Sequence, residues 1–107
     1  MKIMKSINKV ELQGRVGSVR NGIGAVMFTL ATNEYFTSTN DDVVTETTWH
    51  VCQVSERVIS EQIVKGDWVR VIGSIKNYKY TDQEANEITS TVIIVHQYEV
   101  VAKPKEE

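Results

Sequence analysis

Apolar residues recur at every second position through most of this chain, a period that suits half-buried β-strands. Val10, Leu12, Gly14 and Val16 alternate with Glu11, Gln13, Arg15 and Gly17. Residues 7–19 therefore read as a long strand, with glycines where it must bend or bulge. In a second strand, running to about Phe36, Val26, Phe28 and Leu30 alternate with Met27, Thr29 and Ala31. The segment Arg20-Asn-Gly-Ile-Gly24 between them is a hairpin turn, with Asn21-Gly22 supplying the positive φ that a tight turn wants. After a polar, acidic loop over 37–45, a third strand runs from about Glu46 to Val54. The fourth covers 68–80, and a polar loop over 81–87 joins it to a fifth over 88–101, which contains the β-branched run Thr91-Val-Ile-Ile-Val95.

One stretch breaks the period. Between Ser55 and Val64, the residues Val58, Ile59, Gln62 and Ile63 give an approximate i, i+4 stripe, with Ser55 as N-cap and Lys65-Gly66-Asp67 as the stop. Three strands, a short helix and two strands is the order of an all-β, five-stranded OB-fold barrel, whose helix plugs the bottom between the third and fourth strands. Another small barrel or a sandwich has the same strand count. The 107 residues suit one domain, over 1–102, followed by a short solvated tail over 103–107.

Composition narrows the function. The single cysteine, Cys52, excludes an intramolecular disulfide, fits a reducing compartment and reads as a small core residue. His50 and His96 have no ligand partners at a metal spacing, so neither a metal nor another cofactor is expected. No P-loop, HExxH, dinucleotide fingerprint or nucleophile elbow occurs, and nothing points to an enzyme. No apolar run approaches the roughly 20 residues that cross a bilayer, and the N-terminus lacks the apolar core of a signal peptide, so a cytoplasmic location is expected.

The formal net charge is −2, but its distribution is uneven. Residues 1–30 carry Lys2, Lys5, Lys9, Arg15 and Arg20 against Glu11 alone, and residues 62–80 carry Lys65, Arg70, Lys76 and Lys79 against Asp67. Two basic strand regions that become neighbours in space form one basic groove.

Aromatic residues supply the second half of a nucleic-acid surface. On the fourth strand Lys76, Tyr78 and Tyr80 fall on the face opposite Val69, Val71 and Ile75, so rings and a cation interleave on an open face where bases stack and phosphates pair. On the third, Thr48, His50, Cys52 and Val54 look inward, which puts Trp49 on the more polar face, where an exposed indole asks for a partner. An OB barrel is expected to bring Tyr78 and Tyr80 near it. Phe36 either caps the core or adds a further ring, Trp68 reads as a packing or interface residue, and His50 as a buried or interfacial hydrogen-bonding group.

With these residues in place the chain resembles the bacterial single-stranded DNA-binding protein family. The matching pieces are Asn8-Lys-Val-Glu-Leu-Gln-Gly14, Phe28-Thr-Leu-Ala-Thr-Asn-Glu34, Thr48-Trp-His50, Val64-Lys-Gly66, Gly73 to Gln83 with Lys79-Tyr-Thr-Asp-Gln83, and the 89–95 strand, in the family's order. The resemblance implies an OB fold, usually a homotetramer, that binds single-stranded DNA without sequence preference in replication, recombination and repair. It implies base stacking at Phe36, Trp49 and Tyr80, with Ser55 where the family has a fourth aromatic and Tyr78 where a basic residue is common. Lys9, Arg15, Arg20, Arg70, Lys76 and Lys79 are the candidate phosphate contacts, and His50 aligns with a histidine near the family's subunit contact.

The family's glycine-rich linker and acidic tail have no counterpart here, which leaves recruitment of replication proteins in doubt. A bacterial, phage or plasmid origin is expected. Two other readings share the fold: a primosomal relative acting as a dimer, and an OB module that binds another protein through its aromatic face.

Overall fold

The computed structural model describes residues 3–104. Five strands form it: β1 (Val10–Asn21), β2 (Ala25–Thr37), β3 (Val43–Ser55), β4 (Trp68–Thr81) and β5 (Glu87–Ala102). They close in the order β1-β2-β3-β5-β4, and β4 returns to β1. Every pairing is antiparallel except the short contact of Cys52–Val54 on β3 with Ile93–Val95 on β5. Closure is confined to one end of the strands: β3 meets β5 only at Cys52–Val54 and β4 meets β1 only as far as Gly73, so the outer parts of the β2–β3 and β4–β5 hairpins project as two-stranded arms.

The period-two reading accounts for the core. Val16, Phe28, Leu30, Cys52, Val54, Val69 and Val71 are all buried at 2 % exposure or less, and they are the inward members of the alternating sets on β1 to β4. Burying each of the larger apolar side chains among them contributes about 1.5–3 kcal/mol. Burial pushes the Cys52 thiol up to about 12, so it stays protonated and serves as a small apolar filler.

The expected helix over 55–64 is absent; among the described residues there is no helix at all. Val58 and Ile59 donate their N–H groups to the Ser55 carbonyl at 2.9 and 3.2 Å, which makes one turn. The next turn fails because Ser60 and Glu61 give their N–H groups to the Tyr98 hydroxyl on β5, at 2.9 and 2.8 Å, and that hydroxyl donates to the Glu61 carbonyl. Val64 N–H goes to the Asp67 carboxylate at 2.9 Å. A ten-residue helix is marginal on its own, so acceptors supplied by the rest of the fold win. The apolar stripe is nevertheless buried as a stripe: Ile63 joins the core, and Val58 and Ile59 pack against it, closing the barrel end without helical backbone.

The first hairpin also turns differently from expectation. Positive φ occurs at Gly24 (79°) and not at Asn21-Gly22, with Gly22 N–H bonded to the Ala25 carbonyl at 2.9 Å. The acidic loop is shorter than expected, since β2 and β3 pair as far as Thr37 and Val43. At the C-terminal end, Lys103 is tied to Asp67, itself fully buried, at 3.2 Å and to the Gln62 carbonyl at 3.5 Å. Residues 105–107 of the expected tail lie outside the described residues.

Candidate nucleic-acid interface

The β2–β3 ladder decides which rings share a face. Trp49 pairs with Ala31, Thr47 with Asn33 and Thr45 with Tyr35, so these six project from the outer side, while Cys52 opposite Phe28 and His50 opposite Leu30 belong to the inner one. Directly paired residues lie on the same face of a sheet and successive ones alternate. Trp49 is 59 % exposed as a result. Its indole lies down across β2 onto β1, where Gly17 makes room: a Cβ at Gly17 would sit 2.4 Å from the ring tip. The β-bulge between Val16 and Val19 sets Gly17 there, held by Ser18 N–H donating to Thr29 Oγ1 at 3.0 Å.

Cations flank this ring. Arg15 pairs with Trp68 across the β1–β4 ladder, and its guanidinium lies 5.1 Å from the centre of the Trp68 ring, a cation–π contact. Two concavities run along the outer face of β1, β2 and β3. One of about 300 Å³ lies between Arg20, Met27 and Val51, and a larger one of about 670 Å³ lies between Arg15, Tyr35, Trp49, Lys65 and Trp68. Among the described residues no carboxylate lines either of them. Arg15 and Arg20 have no carboxylate within ion-pair distance among the described residues, whereas Arg70 is paired with Glu11 and Lys79 with Glu87 at 3.7 Å. Both pairs are exposed and therefore weak, so a phosphate competes with them at little cost.

The remaining candidates sit elsewhere. Tyr78 and Tyr80 are exposed on the far arm of the β4–β5 hairpin, with the Lys76 ammonium 5.1 Å from the Tyr78 ring centre. The arm does not lie beside Trp49 as a paired strand, because β5 separates β4 from β3 and the β3–β5 ladder is confined to three residue pairs. Phe36, 48 % exposed, pairs with Val44 and thus lies on the opposite face of the β2–β3 hairpin from Trp49. Lys9 is exposed just ahead of β1, next to Asn8, whose side-chain amide continues the β1–β4 ladder by bonding both polar groups of Ile75 at 2.8 and 2.9 Å. His50 is half-buried, its Nε2 2.8 Å from Thr32 Oγ1, and burial lowers its pKa below 6.5.

Tyr35 at the larger concavity escaped the sequence reading of the site, which places Lys65 only in a basic region and reads Trp68 as a packing or interface residue. Tyr35 shares the parity of Ala31 and Asn33, a signal that was legible. Lys65 and Trp68 reach the concavity only because the 56–67 loop and the start of β4 fold back beside β1, which no local pattern reveals.

Comparisons with known proteins agree on one family. A sequence model of the "single-strand binding protein family" matches residues 7–101. The mitochondrial single-stranded DNA-binding protein of Drosophila melanogaster is 33 % identical over 102 residues, covering 87 % of this chain and 70 % of its own. The mitochondrial single-stranded DNA-binding protein 1-A of Xenopus laevis is 36 % identical, covering 84 % of this chain and 73 % of its own. Among solved structures, Plasmodium falciparum SSB in complex with ssDNA superposes with a TM-score of 0.73 at 29 % identity, covering 92 % of this chain and 96 % of that one.

Proposed function

Because the chain belongs to the single-strand binding protein family, we propose that it binds and protects single-stranded DNA, without sequence preference, in replication, recombination and repair. The observation that carries this reading is the exposed Trp49 ring, bedded on Gly17 in a groove whose cations Arg15 and Arg20 have no carboxylate partners among the described residues. A base stacks on such a ring whatever its identity, and a cation meets any phosphate, so affinity without sequence preference follows. Binding is the whole activity; no reaction and no cofactor are part of it.

The strand is proposed to continue from this groove to Tyr78 and Tyr80 on the β4–β5 arm, with Phe36 as a further ring and Lys9, Arg70, Lys76 and Lys79 as phosphate contacts. A homotetramer with His50 near a subunit contact is part of the proposal. So is the cytoplasmic location, set beside relatives that are mitochondrial by name.

Titration with oligo(dT) tests the reading. Tryptophan fluorescence should be strongly quenched, oligo(dC) should compete, and log K should fall with log[salt] by about 0.7 per phosphate neutralised. An unchanged signal with no mobility shift at low salt refutes it. Mass in solution tests assembly: four chains are expected, and two would favour the primosomal relative.

A further inference from the structure

We propose that the concavity between Arg15, Tyr35, Trp49, Lys65 and Trp68 is a nucleotide subsite, in which one base stacks on Tyr35 while its phosphate is held by Arg15 and Lys65. The proposal rests on single-stranded DNA binding by the groove as a whole and adds to it a place, the Tyr35 ring and the Lys65 ammonium.

The volume, about 670 Å³, lies within the roughly 300–1,000 Å³ of small-ligand sites. Its lining combines what a nucleotide needs, aromatic rings and two cations. Tyr35 is 69 % exposed on the same ladder face as Trp49, and a large ring left that open on a strand offers a free π-face. Arg15 and Lys65 face the concavity, and among the described residues no carboxylate lines it, so two cations are offered to an anion there. Between the rings, Thr47 donates its hydroxyl proton to Asn33 Oδ1 at 2.7 Å, which leaves the Asn33 amide NH₂ to meet an acceptor on a base edge.

Trp68 acts here as a positioning residue. Its ring, 5.1 Å from the Arg15 guanidinium carbon, holds that side chain at the rim, so less conformational freedom is lost when a phosphate arrives. The backbone that carries Lys65 is held by a different device. The turn around it, with Asp67 N–H bonded to the Val64 carbonyl at 3.1 Å and Gly66 at a φ of 93°, is pinned to the end of β5 by the Asp67–Lys103 pair. The two cations therefore approach one volume from β1 and from the 56–67 loop.

The experiment measures oligo(dT) affinity against salt for the full chain and for Tyr35→Leu, Lys65→Gln, Arg15→Gln, Trp68→Leu and Trp49→Ala. Tyr35→Leu should weaken binding about 5- to 150-fold with an unchanged salt slope, the signature of a lost stack. Lys65→Gln and Arg15→Gln should each reduce the slope by about 0.7. Trp68→Leu should weaken binding in the native background and have no further effect once Arg15 is Gln. Tyr35, Lys65 and Arg15 all lie at the surface, so these variants are expected to fold. If Tyr35→Leu and Lys65→Gln bind as the parent does while Trp49→Ala binds poorly, the subsite is wrong and the groove stands. If the parent itself does not bind, the functional reading fails as a whole. If the Tyr35 and Trp68 variants change the mass of the assembly in solution and leave the salt slope alone, the face joins copies of the chain and the subsite is overturned.

Discussion

Gly17→Ala isolates what the floor beneath Trp49 does. The added methyl would sit 2.4 Å from the tip of the indole. An ordinary carbon–carbon contact is about 3.6 Å, so the ring must lift by about 1.2 Å. Trp49 is 59 % exposed and open to solvent on its other side, which lets the ring swing outward without opening the core. Stability should therefore fall by less than about 1 kcal/mol. Removing a stacking ring altogether costs about 1–3 kcal/mol per base, and tilting it should cost about 1 kcal/mol, roughly fivefold in Kd. The same methyl would lie 2.9 Å from Thr29 Oγ1, so the bulge is a second route for the effect. A double-mutant cycle separates the two. Oligo(dT) affinity is measured by anisotropy for Gly17→Ala, Trp49→Ala and the double variant, with urea denaturation alongside. The Gly17→Ala loss should vanish when Trp49 is already Ala. If most of it survives there, the effect runs through Thr29 and the bedding argument is refuted.

Three further expectations follow from single groups. Tyr98→Phe removes the hydroxyl that takes the Ser60 and Glu61 N–H groups and should cost about 1–3 kcal/mol, with faster amide exchange confined to 56–66; unchanged exchange would show that the loop holds itself. Cys52, fully buried with its pKa raised to about 12, should be inert to a thiol reagent in the folded protein and react at the rate of unfolding; prompt labelling in native buffer contradicts this. The pKa of His50 lies below 6.5 in the folded chain because burial disfavours the charged ring. The unfolded chain thus binds a proton first on acidification, and stability present above pH 6.5 is lost as pH falls through 6.5 toward the lowered folded value. A His50→Gln variant should lose less melting temperature between about pH 7.5 and pH 5 than the parent; an equal loss would assign the acid sensitivity elsewhere.

Local alternation carried the strands, and with them the burial of Val16, Phe28, Leu30, Cys52, Val54, Val69 and Val71 and the exposure of Trp49, because side-chain parity in a strand is set residue by residue. The same rule, applied to β2, would have selected Tyr35 as the ring on the face of Trp49 and separated Phe36 from it. It says nothing about a segment whose backbone finds partners elsewhere. The stripe at Val58, Ile59 and Ile63 announced burial correctly and helix wrongly, because the competing acceptor, Tyr98, lies 37 residues from Glu61.

The strands, their inward faces and the basic and aromatic character of the surface are thus legible in the order of residues along the chain. Which of those cations already face a carboxylate, as Arg70 does Glu11 59 residues away, and which stand open, as Arg15 does on Trp68, is set by how the strands come together. Tertiary packing alone set Trp49 on Gly17 and gathered Tyr35, Lys65 and Trp68 into one volume. Parity is a property of a strand, whereas register and barrel closure join residues that share no local signal.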